Sequence, residues 1–289
     1  MPHPSHKKST NPGPRSKARS SISLAQQGKP TSVPKAQAVL TDEEKNAVSW
    51  LHTARFFTTA AQLVHLPELD IPEIAFVGRS NAGKSTCINT ITQQNQLAYA
   101  SKTPGRTQHI NLFAVGRQGT TDAMLADLPG YGYAAVPKTA KLRWQQVMAN
   151  YLMSRPNLTA VVLLCDPRLG LTELDEILLG VIRPRVEEGL KFLILLTKAD
   201  KLNKTEAAKA LQIAKLNAGG GDVKLFSALK RIGVEEVAMQ ILDWSQAYVK
   251  KPLVEVAADA NMDTNMDIQP VVEGFPVADA TAAQPPIAS

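Results

Sequence analysis

Residues 74–91 read IAFVGRSNAGKSTCINTI. A short apolar run leads into Gly78, four loop residues, Gly83-Lys84-Ser85, and then a helical pattern. This fits G-x-x-x-x-G-K-[ST], a loop that cradles phosphates. Gly78, Arg79, Ser80, Asn81, Ala82 and Gly83 form the loop, and the glycines allow successive N–H groups to converge on phosphate oxygens. The following helix adds its positive end. Lys84 is placed to reach the β- and γ-phosphates, and Ser85 to offer its hydroxyl to Mg²⁺. A glycine turn beside a surface lysine is the plainer alternative. The strand before and the helix after favour the phosphate loop.

Working outward, the body of the chain alternates apolar runs with helical patterns. IAFV (74–77), MLA (124–126), AVVLLC (160–165), KFLILLT (191–197) and VKLF (223–226) are short and nearly continuous in apolar residues, as strands covered on both faces are. Helices are predicted over 84–92, 139–153, 173–187, 204–217 and 231–247. The last carries an apolar stripe of Val234, Val237, Ile241, Trp244 and Tyr248. The alternation predicts an α/β fold, a mostly parallel sheet with helices on both faces. Ligands of such sheets bind at the carboxyl ends of the strands, where the polar motifs fall.

Asp127 ends the run MLAD and is followed by Leu128, Pro129 and Gly130. An acid at a strand tip beside a phosphate loop suits the surroundings of a metal, and the Gly130 N–H can sense a γ-phosphate. On its own, D-L-P-G is a turn signal. The polar segment ASKTPGRTQHIN (100–111) lies between. Thr107 is a candidate second hydroxyl for Mg²⁺, though three Ser or Thr positions in the segment could serve. Thr197-Lys198-Ala199-Asp200 follows the strand FLIL. A carboxylate there can accept from guanine N1–H and the 2-amino group, a donor pair that adenine lacks. The Lys198 stem can lie over the base plane. Phe226-Ser227-Ala228 can bring backbone N–H groups to guanine O6.

Of the 289 residues, 44% are apolar and 20% charged, ordinary for a globular protein. No apolar run approaches a membrane span, and the first thirty residues lack an apolar signal. Prolines at 2, 4, 12 and 14 spoil an amphipathic transit helix. Cys87 and Cys165 lie in apolar segments and read as buried thiols in a reducing compartment. The five histidines show no metal-ligand spacing. The net charge is +6: seven basic residues and no acid precede residue 38, and six acids and no base follow Lys251. Residues 1–38 and 252–289 are expected to be disordered, a basic arm and an acidic tail around a folded domain at 39–251. A basic body with a basic arm suits RNA; a solvated, solubilising tail explains the arm equally well.

EIAFVGRSNAGKSTCINTI, KTPGRTQHIN, DLPGYGYA with VPK and Trp144 after it, and LLTKADKL together resemble the EngB (YihA/YsxC) family of GTPases, over about Thr58 to Lys250. The resemblance implies a Ras-like P-loop GTPase domain of about six strands that binds GTP or GDP with Mg²⁺ and hydrolyses GTP slowly. It implies a role in assembling the large ribosomal subunit, with the precursor particle and its rRNA as partners, and in normal cell division and septation. It marks Thr107 as the switch threonine on the metal, and Gly105, Arg106, Thr107, Gln108 and His109 as nucleotide contacts. The expectation is a cytoplasmic monomer with no membrane partner.

Many GTPases place Gln after DxxG to orient water. Here Tyr131 stands there, so Tyr131 and Tyr133 are expected to pack or meet a partner, and intrinsic turnover to be low. Lys84, Asn81 and Thr107 are the candidate catalytic residues. Asn81 either ligates K⁺ between the phosphates or simply tolerates the loop's backbone angle. The helix after DLPG carries Lys138, Lys141, Arg143 and Trp144 and is a candidate GTP-dependent face for rRNA. Competing readings are an ATP-dependent kinase, a module whose nucleotide is structural, and an RNA-associated or transporter GTPase of another pathway.

Overall fold

A computed structural model describes residues 39–99, 109–132 and 138–249, with 138–145 by backbone alone. The described residues from Leu40 on belong to one compact unit. Seven strands form its sheet: β1 (Arg55–Ala60), β2 (Glu73–Gly78), β3 (Ile110–Val115), β4 (Ala123–Asp127), β5 (Leu158–Cys165), β6 (Lys191–Leu196) and β7 (Asp222–Leu225), in the order β1-β3-β4-β2-β5-β6-β7. From β4 to β7 all neighbours are parallel; β1–β3 and β3–β4 are antiparallel. The parallel strands are linked through helices, whereas β3 and β4 are joined by a short turn that only an antiparallel pair can use.

The expected six strands therefore become seven. The sequence reading located five and passed over β1 and β3. RFFTTA, at the edge, is mostly exposed and shows no clean alternation. INLFAV is buried, but it follows the polar segment without a break, which hides its start. Helix α1 (Asp42–His52) was also unforeseen; a capping box between Thr41 and Glu44 starts it, and Trp50 Nε1 donates to Asp122 at 3.2 Å.

The remaining helices are α2 (Lys84–Ile91), α3 (Lys138–Ser154), α4 (Glu173–Glu187), α5 (Lys204–Asn217) and α6 (Val234–Gln246). The starts of α4 and α5 are fixed by capping boxes, Thr172 with Asp175 and Asn203 with Glu206. Successive strand residues point to opposite faces. Ile74 and Phe76 of β2 join a core under α1, α2 and α6, while Ala75 and Val77 join one under α3, α4 and α5. Both cysteines are buried free thiols.

At the amino end of β2, Glu73 is fully buried. It takes two bonds from Arg155, at 3.1 Å each, and one from the Tyr151 hydroxyl. This knot ties the end of α3 to the middle of the sheet. At the opposite end of the sheet, the register sets Phe76 beside Asp127, Gly78 beside Leu164, Cys165 beside Leu196, and Leu196 beside Leu225. The polar motifs thus emerge in one row.

Candidate nucleotide-binding site

The phosphate loop leaves β2 at Gly78 and enters α2 at Lys84. A Cβ on Gly78 would lie 2.5 Å from the Leu164 carbonyl oxygen, so the loop can leave the sheet here only without a side chain. Asn81 takes a left-handed φ of 65°, which gives the backbone-tolerance reading of this asparagine a direct observation. Lys84 is buried, and its Nζ donates to the Gly78 carbonyl at 3.3 Å.

Asp127 ends β4 at 2% exposure. Its Oδ2 accepts from the Ser85 hydroxyl at 3.4 Å, while its Oδ1 has no hydrogen-bond partner among the described residues. Burial pushes the Lys84 ammonium pKa down and the Asp127 carboxyl pKa up, and each charge holds the other back. An anion at the loop would keep Lys84 charged. A cation beside Ser85 would keep Asp127 charged and engage its orphan oxygen, so a hard, oxygen-seeking divalent ion fits this donor set.

The segment after Asp127 lies directly on the loop. Ser80 N–H donates to the Tyr131 carbonyl at 2.8 Å. A Cβ on Gly130 would lie 3.0 Å from Lys84 Nζ and 3.1 Å from Ser80 Cα, so a side chain here would press on the loop and its lysine. Leu128 and Tyr131 are buried, and the Tyr131 hydroxyl donates to Asp175 Oδ1 at 2.5 Å. Asp175 Oδ2 in turn caps α4 through Thr172 N and Oγ1, at 2.8 and 2.7 Å. Tyr131 is therefore held inward by α4.

The third group stands after β6. Thr197 Oγ1 donates to Ala82 O at 2.8 Å, stitching the loop to this strand end. Lys198, at φ 54°, sends Nζ to Asn81 O at 2.9 Å and to Asp166 Oδ2 at 3.0 Å. Ala199 N–H donates to Phe226 O at 3.0 Å. Asp200 accepts from the Ser227 hydroxyl at 2.6 Å, and this bond holds its carboxyl below the usual carboxylate range, against the opposing pull of desolvation. Of the three amides expected to face guanine O6, those of Phe226 and Ser227 are engaged with Leu196 O and Ile232 O, at 2.8 and 3.0 Å. Among the described residues that corrects the donor set to Ala228 alone.

His109 is described and exposed. Gly105, Arg106, Thr107, Gln108 and Tyr133 lie outside the described residues, as do the side chains of Lys138, Lys141, Arg143 and Trp144. The site also includes residues the sequence reading passed over: Asp166, Arg168 and Asp175. Asp166 carries the same signal as Asp127, an acid at the carboxyl end of a buried apolar run. Asp175 stands in the T-x-x-D of a capping box. Among the described residues no group of three His, Cys, Asp or Glu could hold a metal, and no helix is long and apolar enough to cross a membrane.

Comparison with known proteins gives the family of the chain. A family model described as "50S ribosome-binding GTPase" matches residues 73–198. The protein named "Probable GTP-binding protein EngB" from Polaromonas sp. strain JS666 is 76% identical over 216 residues, covering 75% of this chain and 88% of its own. A protein of the same name from Acidovorax ebreus is 68% identical, covering 75% of this chain and 100% of its own. A crystal structure of Era in complex with MgGDPNP and a segment of 16S ribosomal RNA aligns with TM-score 0.50 at 20% identity, over 64% of this chain and 60% of that one, a likeness of fold.

Proposed function

The chain belongs to the EngB family of P-loop GTPases, and on that premise we propose that it is a Mg²⁺-dependent GTP switch acting in the cytoplasm on precursors of the large ribosomal subunit. The observation that carries the nucleotide part is the row of strand ends. A buried lysine in a phosphate loop, a carboxylate with an orphan oxygen beside Ser85, and a second carboxylate kept ionised by Ser227 stand side by side.

In this reading the N–H groups of Asn81, Gly83, Lys84 and Ser85 and the Lys84 ammonium bind and orient the triphosphate, while those of Ser80 and Ala82 are engaged with the Tyr131 and Arg79 carbonyls, at 2.8 and 3.0 Å. Ser85 and Thr107 would hold Mg²⁺, and Asp127 accepts from the Ser85 hydroxyl at 3.4 Å. The ion neutralises charge on the phosphate oxygens that Lys84 alone cannot balance. Asp200 reads the guanine edge, the Lys198 stem covers the base, and Ala228 N–H meets O6. Gly130 responds to the γ-phosphate and carries Tyr131 with it. The Tyr131 hydroxyl is engaged with Asp175, and no Gln or Glu follows it at once, so slow intrinsic hydrolysis is expected.

Asn81 side-chain ligation of K⁺ would add transition-state charge. Hydrolysis should then run faster in potassium than in sodium buffer by about tenfold or more, and equal rates would remove K⁺ from the account.

The ribosomal part is supported by the "50S ribosome-binding GTPase" match and by the net charge of +6. Residues 1–38 as a basic arm, α3 as the moving face, and 39–251 as the autonomous domain belong to the same proposal, with the protein monomeric. Co-sedimentation with large-subunit precursor particles tests it. Binding should be stronger with a non-hydrolysable GTP analogue than with GDP, and should weaken steeply with salt. Binding that ignores nucleotide and salt, or no binding, would contradict it.

A further inference from the structure

We propose that Asp166 is a positioning residue for the guanine nucleotide, holding Lys198 in place across the base before the nucleotide arrives. The inference rests on the guanine-nucleotide reading above. Asp166 directly follows β5, whose last residue, Cys165, pairs with Leu196 of β6. It therefore stands between the phosphate loop and the Thr197–Asp200 segment. Its carboxylate is fixed from one side by Arg168. The guanidinium donates from Nε to Oδ1 at 2.9 Å and from a terminal nitrogen to Oδ2 at 2.7 Å, and the Arg168 N–H adds a third bond at 3.2 Å. Such a two-pronged pair orients both oxygens.

Lys198 Nζ then meets Asp166 Oδ2 at 3.0 Å and the Asn81 carbonyl at 2.9 Å. These two acceptors come from two different strand ends, and the flexible four-carbon stem is held between them. A stem ordered in advance adds less entropic cost when the base docks on it. The Asp166 side chain is only 7% exposed, while those of Lys198 and Arg168 are 38% and 50% exposed. The carboxylate is thus the seated member and the two cations are the reaching ones. Arg168 holds the Asp166 carboxyl well below the usual carboxylate range, with Lys198 adding to the effect, so it stays ionised at working pH.

Removing Asp166 should not strand a charge in a dry interior, because both partners reach solvent. The prediction separates it from a merely structural residue through its dependence on Lys198. Release of a fluorescent GDP analogue and GTP turnover are measured in the full chain for Asp166→Ala, Asp166→Asn, Lys198→Met and the Asp166→Ala/Lys198→Met double variant. In Asp166→Ala, GDP release and KM for GTP should each rise about tenfold, a loss of about 1.4 kcal/mol, with kcat falling less than about twofold. Asp166→Asn, which keeps the shape and one acceptor oxygen, should fall between and decides the matter if the alanine variant folds poorly. In the Lys198→Met background, Asp166→Ala should add less than about twofold. The same acceleration with and without Lys198, or none in either, overturns the proposal while leaving guanine binding intact. A wild-type chain that does not bind guanine nucleotides overturns the reading it rests on as well.

Discussion

Asp200 and Ser227 meet at 2.6 Å, and in the proposed base site that bond orients the carboxylate. A carboxylate only accepts, so it suits a base edge with two donors. Replacing Asp200 with Asn makes one arm a donor. Affinity for guanine nucleotides should fall on the order of 10²-fold or more, and xanthosine nucleotides, which carry an oxygen where guanine has its 2-amino group, should gain. Competition binding with the two nucleotides checks this. The pH sign follows from the same bond. Asp200 is depressed in the folded state, so its contribution is present above the unfolded carboxylate value and is lost only as pH falls through the lower folded value. Guanine affinity should therefore stay flat between about pH 8 and pH 5 as far as Asp200 is concerned. The position of Asp200 at a strand end was legible because T-K-x-D follows an apolar run. The Ser227 partnership was not, since it depends on Ser227 and Asp200 being brought together from neighbouring strand ends.

At the scale of elements, the sheet behaves as a bar with chemistry at one end and an anchor at the other. The anchor is Glu73 with Arg155 and Tyr151. Removing one member of a buried pair leaves an uncompensated charge, so Arg155→Ala should cost about 3–5 kcal/mol of unfolding free energy. GDP binding, at the other end of β2, should survive. Denaturant unfolding and nucleotide titration on the same sample check both halves; unchanged stability would contradict the anchor. The starts of α4 and α5 are written in the sequence by Thr172-x-x-Asp175 and Asn203-x-x-Glu206. Strand β1 is not, because an exposed edge strand imposes no apolar pattern on its sequence. Of the two expectations for Tyr131, packing or meeting a partner, the structure shows it packed inward. Its partner Asp175 lies on another element, and only the fold joins them.

Across the whole molecule, charge and topology divide the work. The parallel strands from β4 to β7 collect Lys84, Asp127, Asp166 and Asp200 at their carboxyl ends, as such sheets do. The residues proposed for phosphate, metal and base thus share one rim although they lie far apart in the chain. The two ends of the sequence carry opposite charge. The claim that everything else depends on is that this rim selects guanine. Calorimetric titration of the full chain with GDP, GTP, ADP and ATP in Mg²⁺ buffer tests it directly. The account predicts binding heat from both guanine nucleotides and a preference over their adenine counterparts on the order of 10⁴-fold. Equal affinity for adenine nucleotides, or no heat from any of the four, would contradict it.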